Sequence, residues 1–193
     1  MNLAGAIFEA KRVESNLLAM MKNRLLQACA MAGVALTLWG CAGSGDPANY
    51  EATDLAVVLA GPLFEGPNQG QTQFTFSLAS ALGEAFKPGM KVRDARIQSA
   101  EVLPGDSLGF AHVRSFVLSF ASDNPDASMV EAGFKNPLPA GVNRVDLDVA
   151  PNVELGPHMA AGEVYVVLDA DLDEDFWDGD RRFLLNLELN ITY

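Results

Sequence analysis

The sequence predicts an all-β protein: a single antiparallel β-sandwich, of the immunoglobulin-like or jelly-roll type, that follows an N-terminal signal segment. Short runs alternate apolar and polar residues with a period of two, and clusters of Gly, Pro, Asn and Asp separate them. No long stretch has the period of an amphipathic helix. A closed barrel is the alternative arrangement for such strands. With 49% hydrophobic and 20% charged residues, the 193-residue chain has enough apolar side chains to bury a core.

Seven strands are predicted along the chain, at residues 54–60, 73–79, 92–103, 112–121, 144–149, 163–172 and 183–192. The turn clusters between them read GPNQG, KPG, SDNPD, NPLPAG and LGP. Residues 80–86 form one helical turn or a loop, and no other substantial helix is expected.

The last two predicted strands show the clearest alternation. Their apolar residues are expected to face inward, and these are Val164, Val166, Leu168, Ala170, Leu172, Phe183, Leu185, Leu187, Leu189 and Ile191. The polar residues between them are expected to face water, and these are Asp169, Asp171, Asn186, Glu188 and Asn190.

The N-terminal part has the order of a secretory signal. Lys22 and Arg24 precede residues 25–40, which carry no charge, and the small polar linker AGSGDP follows at 42–47. We assign 1–40 to a signal peptide, with translation starting at Met1 or, because the charged n-region is long, at Met20 or Met21. A transmembrane anchor and an ordinary signal are the alternatives.

The end of this segment, Leu38-Trp39-Gly40-Cys41, resembles the lipobox of bacterial lipoproteins. The resemblance implies a lipid on the Cys41 thiol, cleavage before that residue and a flexible tether at 41–49 ahead of a β-sandwich domain at 50–193. Ala42 after the cysteine implies the outer membrane, facing the periplasm or the outside. Cys29, the other cysteine, is expected to leave with the signal.

Part of the following domain is similar to uncharacterised β-sandwich lipoproteins of bacteria. Leu108-Gly109-Phe110, a strand at 113–120 and the late motif ELGPHM at 154–159 carry this similarity. It implies the fold and no activity.

The net charge limits the classes of partner. The formal charge is −12, and since four of the 13 basic and two of the 25 acidic residues precede Cys41, the rest of the chain has a charge of −14. Such a surface repels phosphate backbones, so a nucleic-acid partner is not expected.

One stretch has the spelling of a hydrolase site. LPGDSLG at 103–109 contains both GDSL and G-x-S-x-G, which would make Ser107 a nucleophile. A nucleophile elbow needs a helix after the serine, but the residues after Gly109 predict a strand. The family named for GDSL also carries D-x-x-H, which neither His112 nor His158 completes. We therefore expect a turn at Ser107, no catalytic residues, and no enzymatic activity.

An acidic run suggests a second candidate site. Its carboxylates are Asp169, Asp171, Asp173, Asp175, Asp178 and Asp180, and hard oxygen ligands at alternating positions are what calcium prefers. Because the run departs from an EF-hand loop at Glu174 and Asp180, the favoured interpretation is a solvated loop balanced by Arg181 and Arg182. A calcium site remains the alternative; no other cofactor is expected.

Trp177, in the same run, is the only tryptophan after Cys41. It either plugs the end of the sandwich, which we favour, or stacks on a sugar or anchors a protein partner. The sequence thus predicts a membrane-anchored, non-enzymatic envelope lipoprotein with a structural or interaction role. A calcium-assisted ligand or carbohydrate-binding module is the alternative, and a serine esterase using Ser107 comes last.

Overall fold

The computed structural model describes residues 47–177 and 179–193. The predicted signal segment, Cys41 and Asp178 lie outside these ranges. Among the residues that the structure describes, no helix has the length and apolar character needed to cross a membrane.

Nine strands and three short helical segments make up the described chain. The strands are β1 (Ala48–Leu59), β2 (Gly66–Thr75), β3 (Asp94–Pro104), β4 (Val113–Ser122), β5 (Val130–Lys135), β6 (Val145–Asp146), β7 (Asp148–Val149), β8 (Glu163–Leu172) and β9 (Arg181–Thr192). The helical segments are α1 (Leu78–Leu82), a 3-10 turn (Gly83–Ala85) and α2 (Gly156–Ala161). Strand β1 begins two residues before the predicted start of the domain at residue 50.

The strands form two antiparallel sheets that pack face to face. One has the order β1-β9-β3-β6 and the other the order β2-β8-β4-β5-β7. Every paired neighbour is antiparallel. The predicted β-sandwich is therefore confirmed, and the strands do not close into the alternative barrel.

The core lies between the two sheets and is built largely from the predicted inward faces. All ten apolar side chains predicted to face inward on β8 and β9 are buried. From the neighbouring strands β3 and β4, Ile97, Phe116 and Phe120 also pack into this core. A period of two along a strand places alternate side chains on one face, which is why the sequence identified these residues.

Strand β2 differs from its prediction. Residues 66–70, GPNQG, were expected to form a turn and 73–79 a strand, but the strand runs over Gly66–Thr75 and pairs with all of β8. At Gly70 a Cβ would lie 2.7 Å from a methyl carbon of Val57 and 2.8 Å from the Val58 carbonyl oxygen. Glycine thus serves the close approach of β2 to β1 rather than a turn.

Two further elements were not predicted. In β5, Phe134 is exposed, and a bulge opposite Leu118 and Ser119 interrupts the alternation of buried and exposed residues. The sequence therefore lacks the period-two pattern that predicts a strand there. In α2, Pro157 lies in the first turn, where its missing N–H is not needed, and Met159 is buried. The LGP cluster predicted as a turn is the start of this helix.

The strand registers define two ends of the sandwich. At the basal end, β1 starts beside Ile191, β3 starts beside Thr192 and β2 ends beside Glu163. At the loop end, the β8–β9 connection (residues 173–180) meets the β1–β2 connection (60–65) and the β3–β4 connection (105–112). Twelve residues of β9 separate the two ends, about 40 Å at 3.3 Å per residue.

Candidate functional site

Two connections at the loop end are joined by their backbones. The Leu63 N–H donates to the Phe176 carbonyl oxygen at 2.8 Å, and the Phe176 N–H donates back to Leu63 at 2.9 Å. Leu63 is buried and Phe176 packs on the core. This reciprocal pair anchors the residues that follow, Phe64 and Trp177, on a firm base.

Phe64 and Trp177 form an exposed aromatic pair. Their ring centroids are 5.4 Å apart at 88°, an edge-to-face contact. Phe64 is 52% exposed and Trp177 is 64% exposed. The favoured prediction that Trp177 plugs the sandwich was therefore wrong, because its neighbours Phe176 and Arg181 occupy the end of the core instead.

The acidic side chains of the candidate calcium site that the structure describes, all but Asp178, are not grouped around a common point. Four of them contact separate partners. Asp171 pairs with Arg114 at 3.0 Å and Asp173 with His112 at 3.2 Å. Asp175 accepts a hydrogen bond from the Glu65 N–H at 2.8 Å, and Asp180 accepts one from the Gly61 N–H at 2.9 Å. In the described part of the chain, no three Asp, Glu, His or Cys side chains are grouped as a metal site. These carboxylates join the β8–β9 connection to its neighbours.

Asp169 lies apart from this loop, on the outer face of β8 opposite Gln69 of β2. Burial raises the pKa of its carboxyl above the ordinary value, while a hydrogen bond from Gln69 opposes the shift. The surroundings of Asp169 therefore disfavour the charged form of its carboxyl.

The LPGDSLG stretch forms the predicted turn. Ser107 is exposed between β3 and β4, and the chain passes through further turns into β4 rather than into a helix. Asp106 is the residue that holds the turn: its carboxylate accepts the Leu108 N–H at 2.9 Å and the Arg182 N–H at 2.9 Å. The strand–serine–helix arrangement of a nucleophile elbow is not formed here.

Arg181 is buried rather than solvated. Only 1% of it is exposed, and its guanidinium donates to Asp106 at 3.2 Å and to the carbonyl oxygens of Ala111 at 3.0 Å and Gly109 at 2.8 Å. It also lies 5.5 Å from the ring centroid of Phe183. The expectation that Arg181 balances the acidic loop was wrong, since its charge is used to fasten the β3–β4 connection to the core.

The same contacts shift the ionisation of Asp106. Burial by itself would raise the pKa of this carboxyl, but the backbone N–H groups of Arg182 and Leu108 and the Arg181 charge lower it below the usual aspartate value. Asp106 is thus held in its charged form.

The two histidines have different surroundings. His112, with a left-handed φ of 64°, lies 3.2 Å from both Asp173 and Glu174 at the surface of the loop end. His158 is 3% exposed in α2, and its Nε2 lies 3.1 Å from the Ser128 carbonyl oxygen. The Ser107 hydroxyl has no hydrogen bond to either imidazole within the described ranges.

The outer face of the β1-β9-β3-β6 sheet carries a shallow groove of about 360 Å³. Bulges on both neighbours of β9, at residues 53–54 and at Gln98, shape it. Asn186 is central, since its side chain accepts the Asp54 N–H at 2.8 Å and donates to Glu101 at 2.8 Å. The lining has carboxylate, amide and hydroxyl groups but no aromatic ring, and the sequence offered no sign of it.

Sequence reasoning identified Trp177 but missed its partner. Phe64 belongs to a different connection, over a hundred residues away, and only the pairing of Leu63 with Phe176 brings the two rings together. An apolar residue beside a predicted turn cluster was the one available signal, and it is too common to be diagnostic.

No family model matches the chain, and no curated protein is similar to it in sequence. Among solved structures, it is similar to the infectious bursal disease virus Gx strain, with 11% identity, a TM-score of 0.43, and 79% of this chain and 33% of the viral chain covered. A carbohydrate-binding module in complex with beta-1,4-galactotriose aligns with 6% identity and a TM-score of 0.33 over 75% of this chain and 88% of the module. The chain thus spans about a third of the length of the viral chain.

Proposed function

We propose that the chain is a non-enzymatic binding module of the bacterial envelope, anchored by a lipid on Cys41, whose Phe64–Trp177 pair contacts a neutral glycan. The exposure of two rings in edge-to-face contact carries this proposal. Exposing aromatic rings to water is unfavourable in free energy, and exposed aromatic side chains on a rigid domain are typical of surfaces that bind ligands.

The charges around the pair favour a neutral ligand. Glu65, Asp173, Glu174 and Asp180 all lie on the connections that carry the two rings, and each is exposed. They repel anionic polymers, whereas their oxygens accept hydrogen bonds from sugar hydroxyls beside a ring stacked on the indole. The ion pair of Asp171 with Arg114 and the hydrogen bond from the Glu65 N–H to Asp175 hold this surface in place.

A binding experiment tests the surface. We expect isothermal titration of the full chain with neutral oligosaccharides, chosen by a glycan-array screen, to show binding that falls at least about tenfold in Trp177→Ala, or by roughly 1.4 kcal/mol. Phe64→Ala should weaken binding as well. Phe134→Ala is the matched control, because Phe134 is also exposed, at 47%, but lies on β5.

Binding that survives Trp177→Ala would exclude the pair as the site. Binding to a protein instead of a glycan, lost in Trp177→Ala, would keep the surface and overturn the ligand class. Tryptophan fluorescence gives a second readout once the signal of Trp177→Phe, which keeps Trp39, is subtracted from that of the full chain.

The anchor and the lack of catalysis are tested separately. We expect palmitate labelling of the full chain in a bacterial host to be lost in Cys41→Ser, and the labelled protein to fractionate with the outer membrane. Labelling that persists in this variant would refute the anchor. Hydrolysis of p-nitrophenyl esters that disappears in Ser107→Ala would refute the non-enzymatic assignment.

A further inference from the structure

One loop at the basal end of the sandwich is basic although the chain as a whole is acidic. Residues 86–93, here named the basal loop, carry Lys87, Lys91 and Arg93 and no acidic residue. These are three of the nine basic residues that follow Cys41. Lys87 and Lys91 are exposed, and within the described ranges neither ammonium has an ion-pair or hydrogen-bond partner. Two acidic residues flank the loop: Glu84, which is exposed two residues before it, and Asp94, which is paired with Arg96 at 2.7 Å.

Apolar side chains accompany these charges. A groove of about 470 Å³ lies between the basal loop and α2, and its lining includes Phe76, Leu78, Met90, Val92 and Met159, with Lys91 beside them. The Met90 N–H donates to the Lys87 carbonyl oxygen at 3.1 Å, which turns the loop back on itself. Basic and apolar groups are thus presented together, as they are on surfaces that lie at a membrane interface.

The chain outside the described residues leads to the same end. Strand β1 begins at Ala48 at the basal end, and Tyr50 packs edge-to-face on Phe76 of the groove lining with ring centroids 5.1 Å apart. Ala48 is seven residues after Cys41, so even a fully extended tether spans no more than about 25 Å. A lipid on Cys41 would therefore keep the basal end near the bilayer.

We infer that the basal loop and its groove dock on the anionic headgroups of the membrane that holds the chain, an inference that rests on the proposed Cys41 anchor. The negative surface potential of the headgroups attracts both lysines, and Met90 lies at the boundary between headgroups and acyl chains. Docking stands the sandwich on end. The Phe64–Trp177 pair then faces away from the membrane, about 40 Å from it.

Hydrogen exchange of the full chain in vesicles tests this orientation. We expect the amides of residues 86–93 to exchange at least about fivefold more slowly on vesicles containing phosphatidylglycerol than on vesicles of phosphatidylcholine alone. Salt at about 0.5 M should remove the difference by screening. The double variant Lys87→Gln/Lys91→Gln should remove it too.

A double variant with the same loss of charge elsewhere, Lys135→Gln/Arg182→Gln, serves as the control and should keep the slow exchange. Equal exchange on the two kinds of vesicle, or equal loss in both double variants, would overturn the docking surface. Exchange is measured on the chain that floats with the vesicles, so the readout concerns the basal loop and not the lipid itself. Palmitate labelling of Cys41 reports separately on the proposed anchor.

Discussion

Replacing Asp106 by alanine should destabilise the domain far more than replacing its neighbour Ser107. The Asp106 carboxylate accepts hydrogen bonds from two backbone N–H groups and from the guanidinium of Arg181, a residue that is 1% exposed. Asp106→Ala leaves the Arg181 charge buried with only carbonyl partners. Ser107→Ala removes a hydroxyl that lies in water.

The expected size follows from these contacts. Removing one partner of a buried ion pair costs about 3–5 kcal/mol. Asp106 itself is 22% exposed in its side chain, and Arg181 keeps its bonds to Gly109 and Ala111, so we expect the lower end, about 3 kcal/mol. Surface substitutions such as Ser107→Ala stay within about 0.5 kcal/mol.

Urea denaturation followed by circular dichroism measures the difference. With a slope of about 2 kcal/mol per molar urea, the midpoint for Asp106→Ala should fall by roughly 1.5 M, whereas that for Ser107→Ala should not move. A midpoint shift for Asp106→Ala as small as that for Ser107→Ala would refute the view that this aspartate fastens the β3–β4 connection.

The pH dependence has a definite sign. The contacts of Asp106 lower its pKa in the folded chain, so its contribution to stability is fully present above the unfolded value of about 3.9 and is lost as the pH falls through the lower folded value. Between neutral pH and the pH of acid unfolding, wild type should lose more stability than Asp106→Ala. Parallel pH profiles for the two proteins would contradict this assignment.

Three other substitutions or additions test the structure. Gly70→Ala should lower the free energy of unfolding by about 1–3 kcal/mol, because its Cβ would lie 2.7 Å from Val57. Gly133→Ala, whose Cβ would lie no closer than 3.6 Å to its neighbours, should lower it much less. Equal urea midpoints for the two variants would show that β2 and β1 can move apart. Asn186→Leu should destabilise the domain by about 2 kcal/mol, since it removes the acceptor of the Asp54 N–H and the donor to Glu101. Thermal unfolding measures the loss, and an unchanged melting temperature would mean that water replaces both hydrogen bonds. Millimolar calcium should leave the melting temperature unchanged, because Asp173 and its neighbours already have protein partners. A rise in melting temperature that is lost in Asp173→Asn would establish the calcium site that the sequence suggested.

The sequence predicted most of the fold because burial on one face leaves a period-two pattern. It placed β8 at its observed bounds and identified the inward faces of β8 and β9. The prediction from sequence failed where one residue type serves more than one structural role. The glycines of GPNQG are typical of turns, yet Gly70 serves a close approach between strands, and the exposed Phe134 hides β5.

The candidate site shows the same division. Composition and alternation determined that the chain is acidic, rich in antiparallel strands and able to bury a core, since these properties belong to residues taken one at a time or in short windows. Only the tertiary structure decided that Trp177 contacts Phe64 and that Arg181 is buried against Asp106. It also decided that four acidic side chains have separate partners, and these are Asp171, Asp173, Asp175 and Asp180. These contacts join residues from 57 to 119 positions apart, and no local pattern in a sequence specifies which connections meet at the end of a sandwich.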